Sequence, residues 1–329
     1  MEAVSVTLQE LSAGLDASTL TEAFGPESLG ILIVKDLPPK FHELRERVLR
    51  GISVLAHLPE EELAKLEKPE STWLTGWSRG KEILASSGLP DFNKGSFYVN
   101  CAFHKSSHLE GPEPEMAAAF EDFASYTSPN VWPSKSEGLS TFKEDTKELC
   151  NLIIDVAEKV AENCDRMLYT IDPAHQENKI ASLVKSSTCS KARLLHYYPT
   201  ETESDEWCGE HLDHSCITGL TSALFIDERS GKTLDVCPDP SAGLYIRDRK
   251  NKATKIEIPV DCLAFQTGSA LEEISRGKFK AVPHYVRGAK SESVSRETLA
   301  VFCQPNLHEM VNGKENFAQF AQRIVASHH

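Results

Sequence analysis

The chain has 329 residues, 35 basic and 49 acidic, a net charge of −14, with 40% hydrophobic and 26% charged residues. That composition excludes collagen-like and disordered classes, and a chain of this length buries enough apolar surface to fold without disulfide or metal staples. No apolar run approaches the ~18 to 20 residues of a membrane span, the start MEAVSVTLQELSAG lacks a secretion-signal pattern, and an acidic chain without a Lys/Arg run repels nucleic acid.

In chain order, GILIVKDLP (30–38) predicts a short buried strand and FHELRERVLRGISVLAHL (41–58) an amphipathic helix. Residues 68–140 are punctuated by Pro, Gly and Ser, as in GWSRGKE (76–82), SGLPDFNKGS (87–96) and SPNVWPSKSEG (128–138), and read as loops of the kind that line a site. From Lys143 to Tyr169, Leu149, Leu152, Ile153, Val156, Val160, Cys164, Met167 and Leu168 recur at steps of three and four, which predicts a long amphipathic helix. After KSSTCSK (185–191) the period shortens to strand-like runs: RLLHYY, SALFID, GLYIRD, TKIEI, CLAFQ, FKAVPHYV and TLAVFC. Short runs separated by Gly, Asp, Pro and Asn indicate an antiparallel sandwich or barrel. ENFAQFAQRIVA (315–326) predicts a closing helix, and the terminal Ser-His-His is set aside.

Nine cysteines, odd in number and never spaced C-x-x-C, support neither a disulfide framework nor structural zinc. Cys262 in DCLAF and Cys303 in LAVFC read as core hydrophobes. These features describe a soluble cytoplasmic protein with a small-molecule partner and no nucleic-acid or membrane partner; nothing in the sequence assigns an oligomeric state.

The strongest local signal is GEHLDHSCITGLTSALFID (209–227). On a strand, His211 and Asp213 face the same way and His214 faces elsewhere. His284 follows in GKFKAVPHYV. Two His and one carboxylate suit non-haem Fe(II), although hydrolytic zinc uses the same ligand types. Beyond His284, Arg296 and Thr298 in SRETLAVFCQP share a strand face. A guanidinium fork beside a hydroxyl holds a carboxylate. Tyr197 and Tyr198 face opposite sides, so only one phenol can join that anion.

NVWP (130–133), LLHYYP (194–199), HLDHSCITGLTSALF (211–225), LAFQTGSALEEISRGKFKAVPHYV (263–286) and RET (296–298), in this order and spacing, resemble the isopenicillin N synthase-like group of 2-oxoglutarate- and Fe(II)-dependent oxygenases. The likeness covers roughly residues 30 to 306, including GILIVKDLP and LPEEELAKLEK (58–68). It implies an α+β fold with a double-stranded β-helix (jelly-roll) core. The implied organisation is an N-terminal helical and loop region (1–140), a long helix backing the core (141–187), the jelly-roll (188–306), and a C-terminal helix and tail (307–329).

By motif match, His211, Asp213 and His284 would bind Fe(II), and Arg296, Thr298 and Tyr198 would hold the distal carboxylate of 2-oxoglutarate. The implied reaction consumes O2, releases succinate and CO2, and oxidises a substrate C–H bond. Hydroxylation is the default outcome, and ascorbate is a candidate reductant. The chain departs from the group at His196, where Asn is usual, at Tyr285, where Arg commonly follows the distal His, and at Thr298, where Ser is usual but the hydroxyl is kept. His196 is open between a strand-packing role and one near the site. Gly268 and Gly277 read as tight-turn residues. Substrate-lining candidates are GWSRGKE, 93–103, Trp207 and Phe302, with Arg79 or Lys81 placed to meet an acidic group. An oxidase of the same fold that spares 2-oxoglutarate, a non-catalytic ligand-binding jelly-roll and a zinc hydrolase are the competing readings.

Overall fold

The computed structural model describes residues 2–83, 88–200 and 208–326. Two long helices form one side of the molecule. The helix Pro39–Ala56 starts on a proline, where the missing N–H removes no hydrogen bond, and buries Phe41, Leu44, Val48, Leu49, Ile52 and Leu55 along one stripe. The helix Phe142–Ile171 buries Leu149, Ile153, Val156, Val160 and Cys164 at the spacing the sequence predicts. The two pack on each other and on the same sheet.

The strands are β1 (Val4–Thr7), β2 (Ile31–Lys35), β3 (Gly76–Arg79), β4 (Lys94–Asn100), β5 (Lys191–Tyr197), β6 (Cys208–His211), β7 (Ile217–Thr221), β8 (Leu224–Asp227), β9 (Lys232–Leu234), β10 (Gly243–Arg247), β11 (Ala253–Ile256), β12 (Leu263–Thr267), β13 (His284–Arg287) and β14 (Val294–Cys303). The large sheet runs β1-β2-β12-β7-β14-β5-β4-β3, with β8 and β9 attached to the first half of β14, and the small sheet runs β11-β10-β13-β6. All pairings are antiparallel except β1 with β2. The result is an α+β protein with a jelly-roll core, as the resemblance implies. Residues 68–140, expected to be loops, also contribute β3, the fully buried β4 and short helices.

Two apolar cores follow from alternation along the central strands. On β5, Ala192 and Leu194 enter the core shared with the helices, whereas Leu195 and Tyr197 enter the core between the sheets. On β14, Leu299, Val301 and Cys303 face the helices, and Arg296, Thr298, Ala300 and Phe302 line the cavity on the other side. Each strand therefore turns one face to the cavity and the other to the helices. The nine cysteines are all unpaired, seven of them buried. Among the described residues no helix is long and apolar enough to cross a membrane.

Candidate metal centre and anion pocket

His211 closes β6 and His284 opens β13, directly opposite in register, with ring centroids 4.3 Å apart. Asp213 is not on a strand, as the alternation argument assumed, but in the loop after β6. Its backbone carbonyl accepts from the Ser269 N–H at 2.7 Å, and the Gly268 N–H donates to Cys216 at 2.9 Å. Gly268 serves close approach rather than turn formation: a Cβ there would lie 2.1 Å from the Ser215 carbonyl oxygen. Asp213 Oδ1 stands 3.7 Å from His211 Nε2 and 3.7 Å from His284 Nε2.

The outer contacts of the three side chains point their free lone pairs inward. His211 Nδ1–H donates to the Gly209 carbonyl at 2.7 Å, which leaves Nε2 unprotonated in the neutral ring. His284 Nδ1 lies 2.6 Å from the Gln266 side-chain amide and 3.3 Å from the Val282 carbonyl. The Gln266 amide nitrogen faces the ring and its Oε1 is buried without a partner; a half-turn of the amide lets Oε1 accept from Nδ1–H, which satisfies both groups and leaves Nε2 free. Asp213 Oδ2 accepts from the Thr218 hydroxyl at 2.7 Å, leaving Oδ1 to the centre. Burial pushes His284 down to about 4, so it is neutral at neutral pH. Burial raises the Asp213 carboxyl, but His284, His211 and Thr218 pull it below its ordinary value. Burial pulls His211 down, but Cys208 and Asp213 raise it to about 9, so a cation arriving there displaces a proton; two imidazoles and a carboxylate, all converging, then form a set that fits a divalent cation. Gln266 and Thr218 lie within the matched runs, but nothing in their spacing gave them a role; as register partners on β12 and β7 they are brought behind the triad by strand pairing.

Arg296 is 7% exposed, and its Nε and Nη1 have no hydrogen-bond partner. The guanidinium stands 5.1 Å from the ring centre of Tyr197, its partner in the β5–β14 register, and bonds the Tyr197 side chain. Buried unpartnered cationic nitrogens are costly unless an anion meets them. Thr298, two residues on, lines the same cavity. Neither neighbouring carboxylate meets Arg296: Glu297 faces the helices and bonds His196 at 2.9 Å, and Glu292 pairs with Arg229 at 3.0 Å.

Tyr198 is a correction. β5 ends at Tyr197, and the Tyr198 hydroxyl donates to the Ala56 carbonyl at 3.0 Å while the Arg79 guanidinium lies 3.7 Å over its ring. Tyr198 thus faces the helix Pro39–Ala56, and Tyr197 takes the place expected of it. Register decides this: Tyr197 sits opposite Arg296, and the next residue points the other way.

His211, Asp213, His284, Arg296, Thr298 and Tyr197 share one cavity of about 520 Å³. Leu195, Leu220, Val236, Ile258 and Phe302 supply apolar wall, and Lys255 adds a cation. Of the expected substrate-lining residues, Phe302 is there, whereas Arg79 donates to the Phe92 carbonyl and Lys81 pairs with Glu67 at 3.4 Å, both away from the cavity. Trp207 lies outside the described residues. The wall comes instead from the segment between β9 and β10 and from residues 255–260, whose mixed polar sequence gave no signal.

No family profile matches the chain. Among curated proteins it is 22% identical over 203 residues to scopoletin 8-hydroxylase of Arabidopsis thaliana, covering 61% of this chain and 50% of that protein. It is 25% identical over 218 residues to the 2-oxoglutarate-Fe(II) type oxidoreductase hxnY of Emericella nidulans, covering 62% and 56%. The chain thus spans about half the length of the curated relatives it matches. Among solved structures, a 2OG-Fe(II) oxygenase family protein from Caulobacter crescentus superposes with a TM-score of 0.72 at 18% identity over 99% of this chain and 100% of that one. Neurospora crassa T7H in complex with alpha-KG gives 0.70 at 20% identity over 98% and 96%. JOX2 in complex with 2OG, Fe and JA gives 0.67 at 15% identity over 98% and 85%. At these identities the structural likeness establishes the fold.

Proposed function

We propose that this chain, which belongs to the 2-oxoglutarate- and Fe(II)-dependent oxygenases, oxidises a small organic molecule, with hydroxylation as the principal outcome and succinate and CO2 as co-products. His211, Asp213 and His284 would hold Fe(II), and Arg296, Thr298 and Tyr197 would hold the distal carboxylate of 2-oxoglutarate. The observation that carries this reading is Arg296: a buried guanidinium with two unpartnered nitrogens opening onto the cavity of the triad. A zinc hydrolase or a simple binder with the same triad has no use for that second anion site.

When bound, iron supplies the activation of O2. The chain's own residues do the rest. Gly209, Gln266 and Thr218 fix the lone pairs of the triad, Arg296 with Tyr197 orients the cosubstrate, and the apolar walls exclude water that would quench an oxidant. A largely apolar lining interrupted by Asp235, Asp239, Glu257 and a Lys255 that already bonds the Pro240 carbonyl at 2.7 Å suits a compact, mainly apolar substrate with a polar group. Within the chain, 188–306 is the catalytic jelly-roll of the isopenicillin N synthase-like type, with 1–140, 141–187 and 307–329 supporting it. The protein is read as cytoplasmic, with ascorbate as a candidate reductant and with neither nucleic acid nor membrane as a partner.

The test is an anaerobic titration of metal-free protein with Fe(II) and then 2-oxoglutarate, following the weak visible metal-to-ligand charge-transfer band. A band that requires both additions and is absent in His284→Ala supports the reading. Fe(II) binding without the band favours the oxidase that spares 2-oxoglutarate, and absence of Fe(II) binding refutes the metal assignment.

A further inference from the structure

On the reverse of the sheet that carries Arg296, a second set of potential ligands meets. His196 on β5 and Glu297 on β14 are register partners, like Tyr197 and Arg296, but point to the helix side. Both side chains are fully buried, and His196 Nδ1 lies 2.9 and 3.0 Å from the Glu297 carboxylate oxygens. His57, at the C-terminal end of the helix Pro39–Ala56, and Glu228, immediately after β8, close the group. None of the four belongs to the front site, and three separate stretches of chain contribute to this one besides β14.

We propose that His57, His196 and Glu228 form a second metal site that takes a divalent cation of the zinc class, with Glu297 as the positioning residue that orients His196. The tautomers support it. His57 Nδ1–H donates to the Ser53 carbonyl at 2.8 Å, and His196 Nδ1–H donates to Glu297, so both rings turn an unprotonated Nε2 into the group. A carboxylate behind a ligating imidazole is the arrangement that fixes such a ring for a metal. The spacing fits as well: Glu228 Oε1 is 3.5 Å from His57 Nε2 and 3.4 Å from His196 Nε2, and ligands at zinc bond lengths define a tetrahedral edge of about 3.3 Å.

Most telling, His196 Nε2 and Glu228 Oε1 are buried and have no hydrogen-bond partner. His57 and Ser295 reach the Glu228 carboxylate as donors, yet His196 Nε2 and Glu228 Oε1 stay unsatisfied, and one cation would meet both at once. Glu228 and the buried Glu297 supply two carboxylates against the double positive charge of a cation that displaces the His57 proton. The competitor is a proton: Glu228 pulls His57 up to about 8, against burial. A further acidic group, His104 with Asp155 and Glu158, lacks this feature, since Asp155 is 67% exposed and none of its ligand atoms is buried and unpartnered.

The experiment uses the full chain, stripped of metal and titrated with zinc against a chromophoric chelator at micromolar protein, with cobalt as a spectroscopic replacement. Wild type is expected to bind two equivalents. His211→Ala/Asp213→Ala should retain one, with tetrahedral cobalt absorption and a zinc-dependent rise in melting temperature. Adding His57→Ala, or separately Glu228→Gln, to that background should abolish the remaining equivalent, and Glu297→Gln should weaken it by about 10- to 100-fold. His104→Ala should leave the count unchanged. His57 and Glu228 are partly exposed, so their variants keep the test readable where the buried Glu297 variant fails to fold. No zinc in the His211→Ala/Asp213→Ala protein, or an equivalent that survives His57→Ala and Glu228→Gln, overturns the proposal.

Discussion

Replacing Arg296 by glutamine should separate cosubstrate binding from folding in an unusual way. In the ligand-free protein Nε and Nη1 of Arg296 have no partner, so removing the charge also removes a desolvation cost, offset by the lost Tyr197 contact. We expect the ligand-free variant to melt within a few degrees of wild type. With 2-oxoglutarate, the same two nitrogens form charge-assisted hydrogen bonds at ~1.5 to 3 kcal/mol each. Desolvation of the incoming carboxylate takes back part of that sum. The lower bound of ~3 kcal/mol corresponds to a roughly 150-fold rise in Kd. The assay is the 2-oxoglutarate dependence of the charge-transfer band in the Fe(II)-loaded protein, beside thermal melts with and without cosubstrate. An unchanged dependence, with normal Fe(II) uptake, would refute the role given to Arg296; so would a large loss of ligand-free stability, because it would mean the guanidinium is satisfied within the protein.

Tyr197→Phe should raise the 2-oxoglutarate Kd by about 5- to 10-fold, the worth of one hydrogen bond. Tyr198→Phe should leave that Kd alone and cost ~1 kcal/mol of stability through the lost bond to Ala56, read by denaturant unfolding. Gly268→Ala drives a methyl into the Ser215 carbonyl, so the loop holding Asp213 must move; Fe(II) affinity should fall while the melting temperature drops by only a few degrees, and unaltered Fe(II) binding would count against the loop's role. Burial pushes the Glu82 carboxyl up, and Arg193 and Lys94 overcome it and hold it at about 2, below its ordinary 4.5. Because the folded value is lowered, this stabilisation is present above about pH 4.5 and is lost as pH falls from there toward 2. The Glu82 side chain is 44% exposed, so solvent screens the pair and the readout is slope rather than size: Glu82→Gln should unfold less steeply with acid across that window.

The parts of the fold visible in the sequence are those where one period holds over many residues. The helix Phe142–Ile171 repeats its stripe for eight turns, and the motif around His211 and Asp213 keeps fixed spacing whatever the backbone does between them. β3 and β4 were hidden because Gly76, Gly95 and Ser96 read as turn chemistry. In the structure Gly95 is small so that Trp77 can cover it: a Cβ would meet the indole at 2.1 Å. Tyr197 and Tyr198 differ by one position, and a period of two turns a one-residue choice into the opposite face. The group of His57, His196, Glu228 and Glu297 is assembled by tertiary contact alone, so only the strand register and the helix end reveal it.

The pairing of β14 also sets the order in which this protein can come to life during synthesis. Tyr197 and Arg296 are register partners roughly a hundred residues apart, and β14 is the strand that joins β5 to both β7 and β8. A nascent chain that has passed Asp213 holds two of the triad's side chains and neither His284 nor any anion site. Loop-closure entropy must be met before these distant pairings reward it. The pocket is therefore a late product of folding, and until β14 is in place the growing polypeptide exposes β5 and β7 as open edges. On the proposed reading, iron capture follows the pairing of β6 with β13, when their histidines first face one another.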